Sequence, residues 1–132
     1  MPIPQSDPLV VAPTPTPFTD TDHIDHDALP QNVRKWLNTP LSGFVLTTAN
    51  GEETLLSEDE KVSIITTVNQ ARLGERFVIA GIDVGSTLET LRLAERYATA
   101  EWISSEYASQ DHSRLMLYAS TSPRSRQTHP CL

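Results

Sequence analysis

The chain has a single cysteine, only two lysines and no long apolar run, and each scarcity closes off a class of protein. Cys131 lies one residue from the end and has no partner for an internal disulfide, so nothing points to an oxidising compartment and a cytoplasmic location is expected. No stretch approaches the roughly 20 apolar residues that a membrane-crossing helix needs. The first residues carry prolines where a secretory leader has a basic start and an apolar core, so no targeting signal is read there. Basic residues are few, with 10 Lys+Arg against 17 Asp+Glu, a formal net charge of -7 and a sequence pI near 4.9. A surface of that sign is repelled by phosphate backbones and by anionic lipid, so neither nucleic acid nor a membrane is expected as a partner.

What is present is punctuated by proline and organised by apolar runs. Six of the ten prolines fall between Pro2 and Pro17. Proline removes backbone donors and fixes φ, so this opening is expected to be extended, with residues 1–8 as an arm and a strand at Leu9-Val10-Val11-Ala12. Two further runs, Gly43-Phe44-Val45-Leu46-Thr47 and Phe77-Val78-Ile79-Ala80-Gly81-Ile82, are unbroken rather than alternating, the pattern of parallel strands covered on two faces. The three starts, Leu9, Gly43 and Phe77, are spaced at 43 - 9 = 34 and 77 - 43 = 34 residues, which fits repeated strand, loop, helix, loop units.

Helix starts are marked between the strands. Ser57 with Glu60 forms a capping box, followed by Val62, Ile65 and Val68 on one face, and Gly74 supplies a left-handed stop. Ser86-Thr87-Leu88-Glu89 repeats the device before a helix whose Leu91, Ala94 and Ala98 recur at helical spacing. The first helix has Asp25 as its candidate cap, Ile24 as a staple to Leu29, and an apolar stripe of Leu29, Val33, Trp36 and Leu37. Pro30 moves its expected start toward Asp27 or Leu29. Asp20, Asp22, His23, Asp25, His26 and Asp27 match neither an EF-hand nor a zinc spacing; they read as cap and dipole partners, and no metal ligand is assigned. Trp36 reads as packing, and Asn50-Gly51 taken alone reads as a turn chosen for positive φ.

Taken together these residues resemble the dihydrodipicolinate synthase and N-acetylneuraminate lyase family. Thr16-Pro17-Phe18 with Ile24-Asp25 and Ala28-Leu29 is similar to its first strand-to-helix connection, and Gly43-Phe44-Val45 to its second strand. The family's Gly-Thr-Thr-Gly-Glu signature falls on Thr48-Ala49-Asn50-Gly51-Glu52, and Leu56-Ser57, Ala80-Gly81 and Ser86-Thr87 continue the match. The resemblance covers about residues 9–100. It implies an α/β fold, a partial TIM (β/α)8 barrel made of the first three βα units, since a complete barrel needs roughly 250 residues. It also implies class I aldolase chemistry on a pyruvate-type keto acid, held as a Schiff base on a lysine, without metal or organic cofactor.

Carried over residue by residue, Thr48, Ala49, Asn50 and Gly51 become the loop that holds the keto-acid carboxylate. Ala49 lacks the hydroxyl that relays a proton in many members, while Asn50 keeps a polar side chain. Lys35 and Lys61, the only lysines, fall in helices expected outside the barrel, so no catalytic residue is assigned. The match ends near Ala100. Entered at the last base of the Ala100 codon, the codons for Glu101 through Asp111 permit Gly-Met-Asp-Phe-Ile-Arg-Val-Arg-Leu-Pro-Arg, the aspartate being forced, and this resembles a fourth family strand. Residues 101–132 are accordingly expected to be an irregular, out-of-frame tail. The resulting expectation is a truncated, inactive member of the family with open edges at its outer strands. Its alternatives are a fragment of a full active aldolase, and a regulatory fragment docking on a full-length homologue; a homo-oligomer is the other partner expected.

Overall fold

A computed structural model describes residues 8–72, 76–105 and 115–120. Its elements alternate as β1 Val11–Pro13, α1 Ala28–Leu37, β2 Gly43–Leu46, α2 Glu58–Arg72, β3 Phe77–Asp83, α3 Thr87–Ser105 and β4 Leu115–Ser120. The sheet runs β1-β2-β3-β4 with every neighbouring pair parallel. Val11, Gly43 and Phe77 share one register row, so two of the expected strand starts stand and the first moves by two residues. Pro13 ends β1, a place where its missing N–H costs no central ladder bond.

The stretch expected to be irregular departs from that reading in two places. The helix α3 continues through 101–105, and Leu115–Ser120 pairs with β3 from Val78↔Leu115 to Asp83↔Ser120. The physical reason is a free edge: β3 offers a row of unpaired backbone groups, and Leu-Met-Leu-Tyr-Ala is an apolar run able to lie against it. The outer strands are therefore β1 and β4. The rest of the tail, 106–114 and 121–132, and the expected stop at Gly74 lie outside the described residues.

The sheet is two-sided in burial. Phe44, Leu46, Val78, Ala80 and Ile82 are at most 2 % exposed and form one core with Leu29, Val33, Ile65, Val68, Leu93 and Tyr97 from the helices. Val45 and Ile79, which alternate with them and so point to the other side, stay half-buried. Trp36 packs on Phe44 with ring centroids 5.8 Å apart, in agreement with its expected packing role.

Helix caps follow the sequence. The amide of Ser57 donates to Glu60 Oε2 at 2.8 Å while the amide of Glu60 donates to Ser57 Oγ at 3.2 Å, a closed capping box. The amide of Glu89 donates to Ser86 Oγ. Asp25 Oδ1 accepts from the amides of Asp27 and Ala28, so α1 starts at Ala28 and Pro30 sits in its first turn, where no intrahelical donor is missed. The face of α3 is turned from expectation: Leu91 is 58 % exposed while Thr90, Leu93, Tyr97 and Ala100 are buried, and of the expected stripe Ala94 still packs against the core. Both stripes are apolar and helically spaced, so periodicity alone did not choose between them; the sheet underneath did.

Candidate functional site

The segment between β2 and α2 leaves the sheet at the carboxyl ends of the strands, the end where parallel α/β folds collect ligands. Two short 3₁₀ turns, Ala49–Gly51 and Glu53–Leu55, shape it. The amide of Gly51 donates to Thr48 O at 2.8 Å and that of Glu52 to Ala49 O at 3.1 Å. The amides of Ala49 and Asn50 take no partner among the described residues, and both side chains are exposed. Thr48 is half-buried and Gly51 buried. The four residues assigned to carboxylate binding thus form one continuous turn whose tip is accessible and whose ends are fixed.

The fixing comes from residues the sequence did not single out for a site. The Thr16 hydroxyl donates to Gly51 O at 2.7 Å, and Thr14, just after β1, donates through its amide and its hydroxyl to Val45 O. Thr47 is 2 % exposed and donates to Gly81 O at 3.0 Å across to β3. Its φ of 52° is left-handed, an uncommon state for a β-branched residue. The left-handed positions of the loop are Thr47 and Glu52, whose φ is 58°, rather than the Asn50-Gly51 pair that turn chemistry favoured. Nothing local in the sequence marks Thr47, whose side chain is bonded to β3. A Cβ at Gly81 would lie 2.7 Å from Thr47 O and 2.7 Å from Thr48 Cγ2, so glycine is what lets the loop base rest on that strand.

Charge near the loop is acidic but largely paired. Glu58, at the start of α2, is held below its ordinary range chiefly by the hydrogen bond from Arg92, with Arg96 adding to it. Arg96 also pairs with Asp59. These bonds tie α2 to α3 on the surface beside the loop. Glu60 is likewise lowered by its hydrogen bonds from Ser57, which belong to the cap. Lys35 lies exposed on α1 and Lys61 half-buried on α2, so both lysines belong to helices rather than to strand ends.

A parallel α/β sheet with helices between its strands and a structured loop after β2 at the carboxyl ends of the strands forms part of a (β/α) barrel of the aldolase kind. The dihydrodipicolinate synthetase family model matches residues 8–101, and the chain belongs to that family. It is 38 % identical over 88 residues to 4-hydroxy-tetrahydrodipicolinate synthase of Limosilactobacillus fermentum, covering 67 % of this chain and 28 % of that enzyme. The enzyme of the same name from Natronomonas pharaonis is 35 % identical over 85 residues, 64 % of this chain and 29 % of the relative. The crystal structure of a dihydrodipicolinate synthase from Bacillus anthracis superposes with a TM-score of 0.66 at 23 % identity, over 71 % of this chain and 32 % of that one. The chain therefore spans under a third of the length of the curated relatives it matches. Among the described residues no helix is long and apolar enough to cross a membrane.

Proposed function

We propose that this chain carries the keto-acid carboxylate loop of a class I carbon-carbon lyase or synthase and that, taken alone, it binds without turning over. Thr48, Ala49, Asn50 and Gly51 hold the carboxylate of a pyruvate-type acid, chiefly through backbone amides. The observation that carries this reading is the pair of unpartnered amides at Ala49 and Asn50, on a turn pinned by Thr16, Thr47 and Gly81 in a chain of this family. Convergent backbone donors suit an anion because they are fixed before it arrives.

Imine formation needs a neutral, desolvated lysine that attacks the keto carbon and releases water. Lys35 and Lys61 are the chain's only lysines, and both lie in helices rather than at strand ends. The aldolase activity of the family therefore requires residues beyond these, whether in a longer product of the same gene or in a full-length homologue on which this chain docks. The exposed Leu9 and Val10 beside the open β1 edge favour docking as the second reading. Such a protein works in the cytoplasm. The test is pyruvate with borohydride followed by intact-mass analysis. We expect no reduced pyruvyl adduct on the 132-residue chain, and an adduct at Lys35 or Lys61 overturns the reading. Sequencing the transcript across the Ala100 codon decides whether the family pattern continues in another frame.

A further inference from the structure

Tyr97 heads the fully buried side chains, at 0 % exposed on α3, yet its hydroxyl has no hydrogen-bond partner among the described residues. Leaving a buried phenol unpaired costs about 1–3 kcal/mol, and a phenylalanine would fill the same space without that cost. The polar group beside it is the Thr47 hydroxyl, and burial is the main cause that pushes the phenol up to about 12. Thr47 Oγ1 commits its proton to Gly81 O, so its lone pairs remain able to accept. Thr47 just after β2, Gly81 of β3 and Tyr97 of α3 thus meet at the base of the loop, and Thr47 is held in a left-handed conformation that costs about 1–3 kcal/mol.

We propose that Tyr97 is a positioning residue for the ligand loop: its hydroxyl donates to Thr47 Oγ1, which a small movement of the loop base allows, and so keeps Thr47 in the backbone state that presents the Ala49 and Asn50 amides. What the loop binds rests on the carboxylate reading above; how the loop is restrained does not. The strain at Thr47 and the unpaired phenol then have one explanation, because each supplies what the other lacks.

Hydrogen exchange on the 132-residue chain separates positioning from packing. Tyr97→Phe keeps the ring, so the melting temperature should hold or rise while amides of 47–52 exchange about fivefold faster. Thr47→Val should give the same acceleration, the double variant no more than either single one, and Thr47→Ser a rate within about twofold of the original. Loop exchange in Tyr97→Phe within about twofold of the original overturns the proposal, as does a lowered melting temperature with acceleration spread evenly over β2 and β3. In parallel, pyruvate affinity followed by ligand NMR line broadening should weaken about fivefold in Tyr97→Phe. Absence of pyruvate binding by the unaltered chain removes the carboxylate reading, and the exchange rates still decide the role of Tyr97.

Discussion

The two faces of the sheet have the same kind of residue and different fates. Toward the helices, Phe44, Leu46, Val78, Ala80 and Ile82 are sealed into a core; on the other side Val45 and Ile79 stay half-buried. Unbroken apolar strands signal cover on both faces, and within this chain only one face receives it in full. Apolar patterning therefore records the environment a strand is suited to, while the packing achieved depends on which layers are present. This contrast also explains why a segment under a third the length of its relatives keeps their local architecture: each helix needs only the strand faces beneath it.

Truncating one residue on each face gives the sharpest test of this difference. Phe44→Ala empties a sealed position and should cost about 3–5 kcal/mol in chemical denaturation, against about 1 kcal/mol for Val45→Ala. Equal losses would show that both faces are closed in solution, by self-association or by the tail. Next in size, Gly81→Ala forces a methyl against Thr47 O and Thr48 Cγ2 and should cost about 1–3 kcal/mol. Because the clash is with the loop base, its amide chemical shifts should move most at 47–51, and shifts confined to α2 would break the link between β3 and the loop. Ser57→Ala removes half of the capping box and should lower stability by about 1 kcal/mol, with fraying read from exchange at the start of α2.

The smallest effect concerns the surface pairs of Glu58 with Arg92 and Arg96. The folded-state value of Glu58 is depressed, so its contribution is present above the ordinary glutamate range and is lost as pH falls through the lowered folded value. The group is exposed and screened, so the effect is slight. A thermal melt series in acid should show a shallower pH dependence for Glu58→Gln than for the unaltered chain, and more so at low salt than at high.

Much of this arrangement was legible before any coordinates. Gly43 and Phe77 mark two strand starts, Ser57 and Glu60 cap α2 as their types require, and the Thr48–Glu52 signature lies at the mouth of β2. The misses share a cause. Leu91 and Leu93 carry equal apolar signal, so only the sheet could select the Leu93–Tyr97 face. Thr47 is left-handed and bonded to β3, and Leu115–Ser120 pairs along the β3 edge; neither is local information. Of the site, the turn itself was visible, whereas Thr16 and Gly81 enter through tertiary contacts far away in sequence.

The division of labour inside the loop has a practical outcome. Thr48 and Gly51 are tethered, while Ala49 and Asn50 project freely from between them, so the chemistry carried at the tip is interchangeable without refolding its mount. A hydroxyl returned at position 49 by Ala49→Thr meets solvent rather than core. On the proposed carboxylate reading, a proton-relay hydroxyl is thus one codon away at an exposed position, which would make the segment a ready graft for a barrel that supplies the amine.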